Sequence, residues 1–248
     1  MSKKVLVIGE SCTDVFCYGN CERLCPDAPA PILNPTRTVQ NPGMAMNVVR
    51  NIESLGVSCD IITNDNWEES TKTRYIDSRT NHMFLRIDLR DKVENKFDQE
   101  KFKSADLSEY SAIIVSDYCK GFLTEDDIRQ ISLSHESVFL DTKKLLGEWC
   151  NDLKYIKINS YEYERTKHLI TEVLDSKLIV TLGSKGSKYN ERTYPVDHVE
   201  IKDSSGAGDT YIAALVSEYV KTSSIEKAIQ FANACATKVV QKRGVSIV

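Results

Sequence analysis

Glycine is scarce in this chain, at 11 of 248 residues, so a cluster of glycines calls for a reason. Long apolar runs are missing. None approaches the roughly 20 residues of a membrane span. The first run, Val5 to Ile8, is too short for the hydrophobic region of a signal peptide. We read it as the buried first strand of a cytoplasmic protein with no membrane partner. A basic surplus is also absent: 36 acidic residues face 32 basic ones, for a net charge of -4. That excludes a sequence-independent nucleic-acid binder, which needs a basic surface. Eight cysteines are present without a CxxC pair. A disulfide scaffold does not suit a long chain lacking a secretion signal. The group Cys12, Cys17, Cys21 and Cys25 leaves a metal site open, but reduced thiols in small apolar slots are the preferred reading. There is no internal repeat, low-complexity segment or long linker. What remains is an ordinary globular composition, 41% hydrophobic and 27% charged, expected to form one domain over residues 1–248.

Short apolar runs alternate with amphipathic stretches. Strands are expected at residues 3–8, 57–63, 112–117, 137–141, 155–159 and 177–183. Helices are expected at 44–55, at 124–132 with Thr124 as N-cap, near 144–150, at 206–221, and from Ile225 to Val240, where apolar residues recur at 3–4 spacing. Several strands end in a polar residue or glycine, as strands do at the carboxyl edge of a parallel sheet. The βα alternation predicts an α/β fold, a doubly wound, mainly parallel sheet with helices on both faces. Two stretches break the pattern. Residues 15–39 and the positions just beyond hold five of the six prolines, which confines any strands there to edges. Residues 71–88 alternate without helical period. Both are expected to form a small β lid over the sheet.

The segment Asp203-Ser204-Ser205-Gly206-Ala207-Gly208-Asp209-Thr210 carries the chemistry. It opens a helix, and its small residues let backbone N–H groups converge on an anion at the helix start. A carboxylate there, Asp209, suits a base that takes a proton from a hydroxyl attacking phosphorus, while the N–H groups stabilise the transferring phosphoryl group. Taken alone, the segment fits a tight glycine turn with an acid at a helix start better than it fits a phosphate site.

The segment resembles the DTxGAGD-type signature of the ribokinase-like (PfkB) carbohydrate kinases; no Walker loop occurs. The resemblance covers essentially the whole chain. It implies an ATP-dependent kinase using Mg2+, with Asp209 as base and Gly206, Ala207 and Gly208 as the anion hole. Gly9-Glu10 followed by Asp14, and Pro42-Gly43-Met44-Ala45-Met46-Asn47, are similar to its sugar-binding segments. They imply that Asp14, Gly43 and Asn47 orient a sugar. Asn159-Ser160-Tyr161-Glu162 is similar to the family's N-x-x-E motif, which implies that Asn159 serves the nucleotide phosphates and Glu162 holds magnesium through water. Thr181, Gly183 and, in the last helix, Asn233 match nucleotide-side positions. Within the family, Tyr18-Gly19, Lys72-Thr73-Arg74, Arg86-Ile87-Asp88, Ser116-Asp117-Tyr118-Cys119-Lys120-Gly121 and Asp141-Thr142-Lys143 most resemble the kinase domains acting on D-glycero-D-manno-heptose 7-phosphate in ADP-heptose synthesis. Such a substrate needs cations for its phosphate, and Arg74 and Lys120 are the candidates. A homodimer paired through the lid is a further expectation from relatives. The chain ends about where the kinase domain would end, so no fused nucleotidyltransferase is expected.

Two departures bear on the acceptor. Met44 stands where the family has a second glycine, which narrows the sugar pocket or forces a different backbone angle. The interval from Gly56 to Lys72 is short, retaining a strand but losing a helix and part of the lid region. The rival readings are a kinase for another acceptor, such as an unphosphorylated sugar or a nucleoside, and a non-catalytic ligand-binding relative.

Overall fold

The computed structural model describes residues 4–248; Lys3, included in the first expected strand, lies outside the described residues. Strands β1 (Lys4–Gly9), β4 (Ser58–Ile62), β7 (Tyr110–Asp117), β8 (Val138–Thr142), β9 (Tyr155–Asn159) and β10 (Leu178–Thr181) run parallel. The short strands β11 (Ser187–Tyr189) and β12 (Arg192–Tyr194) add an antiparallel edge. The order is β12-β11-β10-β9-β8-β7-β1-β4.

Successive strand residues point to opposite faces, so each buried strand feeds two cores. Val5, Val7, Ala112 and Ile114 pack beneath helices α1 (Ala45–Ser54), α6 (Ala207–Thr222) and α7 (Ile225–Val239). Leu6, Ile8, Ile113 and Val115 face the other way, toward Ile128 and Ile131 of α3 (Glu125–Ser134). Phe102 of α2 (Gln99–Lys103) and Leu174 of α5 (Glu172–Asp175) join that second core. Thr124 caps α3 as expected: its side chain accepts from the Asp127 N–H, and Asp127 answers with the Thr124 N–H, a reciprocal capping box.

The proline-rich segment and the 71–88 segment form a separate four-stranded sheet. Its strands are β2 (Ser11–Leu24), β3 (Pro31–Met44), β5 (Thr71–Asp77) and β6 (Met83–Leu89), in the order β3-β2-β5-β6. Pro31, Pro35 and Pro42 all lie on β3, an edge strand that does not need their missing N–H groups. The 56–72 interval contains β4, a 3-10 turn at Trp67–Glu69 and the start of β5, with no α-helix.

One expected helix is corrected. Residues 144–150 form only a 3-10 turn at Glu148–Cys150. Gly147 is fully extended, and the Lys144 and Leu146 N–H groups are taken by the hydroxyls of Thr142 and Thr166. The extended Gly147 breaks the helical backbone in the middle of the segment.

Candidate active site

The parallel strands β1, β7, β8, β9 and β10 deliver Glu10, Asp117, Thr142, Asn159 and Thr181 to one edge. The start of α6 faces the same edge. Gly206 caps that helix in the left-handed region, at φ 78°. A Cβ there would sit 2.9 Å from Asn47 Nδ2. Glycine is therefore required both for the turn and for the close approach of α1.

Asp209, in the first turn of α6, is buried. Asn47 Nδ2 donates to its Oδ2 at 2.9 Å, and the Tyr118 phenol donates to its Oδ1 at 2.5 Å. Burial pushes the carboxyl up to about 6, and the two donors hold it from rising further. A carboxylate tuned toward neutrality is suited to proton abstraction near physiological pH.

Asp14 and Gly43 meet across the β2–β3 hairpin. A Cβ on Gly43 would lie 2.3 Å from Asp14 Oδ2. Arg74, on the neighbouring β5, donates to Asp14 Oδ1 at 2.5 Å. Asp14, Gly43 and Arg74 thus form one contacting group and Asn47, Tyr118 and Asp209 another, with Cys12 feeling the charge of both carboxylates. Lys120 turns elsewhere: it pairs with Asp91, which also faces Lys72 at 3.5 Å. Met44 adopts a positive backbone angle, φ 58°, with its side chain buried. Left-handed backbone at a non-glycine residue carries strain, which side-chain burial offsets.

Asn159 and Glu162 form a capping box at the start of α4 (Ser160–Thr166). Glu162 also pairs with Lys143. Burial would lower the Lys143 ammonium, but the carboxylates of Asp141 and Glu162 raise it on balance. Behind Lys143 lies an ion pair that the sequence reading did not single out. Asp141 of β8 and Lys157 of β9 are register partners, both buried, with Nζ 2.8 Å from Oδ2. Lys157 Nζ would lie 3.1 Å from a Cβ on Gly208. The ammonium therefore stands close against the start of α6. Its sequence signal was a lone cation inside the apolar strand YIKIN.

Thr181, Gly183, Ala207, Gly208 and Asn233 line one cavity, whose apolar walls include Val199, Ile201 and Val240. Asn233 lies in that wall with its amide committed inward. Its Oδ1 accepts from Ser187 and its Nδ2 donates to the Tyr194 carbonyl. It fastens the β11–β12 hairpin to α7 rather than offering a free amide.

Magnesium fits this edge. Asp141 Oδ1 is buried without a hydrogen-bond partner among the described residues, and Glu162 supplies a second carboxylate facing Lys143. Among the described residues there is no cluster of three or more metal-ligating side chains. Magnesium in phosphate sites needs only one or two carboxylates, with phosphates and waters completing its shell. Among the described residues no helix is long and apolar enough to cross a membrane.

The chain resembles known proteins throughout. The bifunctional protein HldE of Helicobacter pylori (strain J99) is 29% identical, covering 98% of this chain and 64% of its own length. That of Klebsiella pneumoniae (strain 342) is 30% identical, covering 98% and 61%. The chain thus spans less than two thirds of these relatives. The alignments run over 294 and 295 positions, against 248 residues here, so the relatives carry residues that this chain lacks. In fold, a ribokinase from Thermotoga maritima superposes with a TM-score of 0.72 at 17% identity, covering 97% of this chain and 94% of its own. The ribokinase of Arabidopsis thaliana, complexed with ribose and ATP, gives 0.71 at 16%, covering 98% and 94%. Residues 51–248 match the model of the pfkB family carbohydrate kinases. The chain belongs to that family and has a ribokinase-like fold.

Proposed function

We propose that this kinase phosphorylates a sugar phosphate, most specifically heptose 7-phosphate, giving the 1,7-bisphosphate. The observation that carries the reading is Asp209. It is a buried carboxyl raised toward neutrality at the first turn of α6, with the cations Lys143 and Lys157 close by. Asp209 accepts the proton of the acceptor hydroxyl as its oxygen bonds to the γ-phosphorus and the bond from that phosphorus to ADP breaks. The N–H groups at Gly206, Ala207 and Gly208 and the Lys157 ammonium face the charge that develops on the phosphoryl oxygens. Asp14 and Asn47 orient the sugar. Thr181, Gly183 and the apolar cavity seat the nucleotide. Asp141 and Glu162 would hold magnesium, Glu162 through water, and the ion would neutralise phosphate charge. The small sheet acts as a lid that excludes water from the transfer. A cytoplasmic location, where ATP is available, belongs to the same proposal.

The relatives named HldE favour the heptose acceptor, and Arg74 and Lys72 of the lid strand β5 supply cations for its phosphate. Comparing kcat/KM for the 7-phosphate with that for the unphosphorylated heptose and for nucleosides tests this. The phosphate ester is expected to lead by two orders of magnitude or more, since one or two charge-assisted hydrogen bonds carry about that much discrimination. A nucleoside or free sugar leading instead would select the other acceptor class.

Two further outcomes follow. Gly43→Ala places a methyl 2.3 Å from Asp14 Oδ2, so the carboxylate must move. Acceptor KM or kcat should worsen about 10- to 100-fold with nucleotide affinity unchanged, which steady-state kinetics and nucleotide titration check. The lid edge strand β6 also exposes Met83, Leu85, Ile87 and Leu89 at alternate positions, an apolar row suited to pairing two lids. Light scattering should give a dimer that Leu85→Glu converts to a monomer.

A further inference from the structure

Tyr118 has no part in the mechanism above, yet it touches the base. It sits in the loop after β7, and that loop is tied down from beneath. Glu10, fully buried at the end of β1, accepts the N–H groups of Tyr118 at 2.8 Å, Lys120 at 2.9 Å and Phe122 at 3.4 Å. Cys119 holds the left-handed turn between them at φ 56°. The ring is further set by two ammonium groups: Lys72 Nζ lies 5.8 Å and Lys143 Nζ 5.5 Å from its centroid, within cation–π range. From this fixed position the phenol donates to Asp209 Oδ1 at 2.5 Å while Asn47 holds Oδ2. Each carboxylate oxygen therefore has one committed donor, and an acceptor hydroxyl must use a lone pair that these donors leave free.

We propose that Tyr118 is a positioning residue for phosphoryl transfer: its phenol fixes the Asp209 carboxylate in the orientation that receives the acceptor hydroxyl. The proposal rests on the reading of Asp209 as the base. A phenol donor also favours the ionised carboxylate over the protonated one. The charged and titratable groups facing Asp209 are Tyr118 itself, Asp141 of β8, Lys143 beyond it, Lys157 of β9 and Cys12 of β2; Asn47 of α1 is neutral. Tyr118 remains a phenol throughout, because burial and the Asp209 charge push it well above its ordinary range. Removing it therefore leaves Asp209 with less support for its charge and shifts its titration upward from about 6.

The test is the pH profile of kcat/KM for the acceptor in Tyr118→Phe, between pH 5 and 9. The acid limb is expected to move up by about one pH unit, the equivalent of one lost hydrogen bond to a charged group. The loss should be several-fold larger at pH 6 than at pH 8.5. Site-specific replacement of Tyr118 by 3-fluorotyrosine, which keeps the shape and strengthens the donor, should move the limb down. Nucleotide binding and the thermal melt verify the fold of each variant, and the fluorinated one decides if the phenylalanine one does not fold. An unmoved limb in a folded variant, or an equal loss at every pH, overturns the positioning role. Asp209→Asn separates the two claims. If it is inactive while the Tyr118→Phe limb stays in place, only the positioning role fails; if it remains active, the base reading fails with it.

Discussion

Asp209→Asn is expected to lower kcat by about 10²–10⁴-fold, the usual contribution of a positioned general base. The change is isosteric and leaves the helix start, Gly206 and the N–H groups in place. Nucleotide affinity should therefore stay within a few fold. What disappears is the proton acceptor. Stability supplies an independent readout. In the folded protein burial raises the Asp209 carboxyl from its ordinary 3.8 to about 6. Its contribution to stability is complete below the unfolded value and is lost as pH rises through 6. The variant should consequently be more stable than the parent above pH 6, with the difference vanishing as pH falls below 4. Urea melts at pH 4 and pH 8 measure this. A kcat within tenfold of the parent would contradict the assignment.

Lys157→Met is expected to destabilise the protein by about 3–5 kcal/mol, the cost of leaving a buried charge without its partner. Lys157 and Asp141 are 3% and 4% exposed, so water cannot replace the lost ammonium. Asp141 Oδ1 already lacks a partner among the described residues, and the substitution would strand Oδ2 as well. The double change Lys157→Met with Asp141→Leu should recover most of the loss, because an apolar pair of similar volume is often neutral in such a site. Denaturant midpoints of the three variants form a double-mutant cycle. A single-variant loss below about 1 kcal/mol would mean that the pair is solvated rather than buried.

The fold was legible where backbone demands leave a mark on residue type. Alternating apolar strands with polar ends marked the parallel sheet, and the prolines of β3 marked an edge strand in the small sheet. Gly206 marked the helix start because few other residues tolerate its left-handed backbone. The missing helix between residues 56 and 72 was readable from length alone. Contacts between distant residues were not. The phenol of Tyr118 reaches a carboxylate 91 positions away, and Lys157 meets Asp141 through the β8–β9 register. Neither pairing follows from spacing along the chain. Asn233 shows the same limit: it lines the cavity beside the start of α6, but hydrogen bonds to Ser187 and Tyr194 turn its amide inward. The expected helix near residue 144 failed for a local reason, since Gly147 is extended and interrupts the helical backbone.

The central claim is Asp209-dependent phosphoryl transfer to a sugar hydroxyl, and phosphorus NMR of the reaction tests it most directly. Parent protein, ATP, Mg2+ and heptose 7-phosphate should yield ADP and a new anomeric phosphate resonance in equal amounts, while Asp209→Asn under the same conditions yields neither. Nucleotide binding with no new phosphate ester from any sugar or sugar phosphate would contradict the claim and identify a ligand-binding relative that kept the kinase fold.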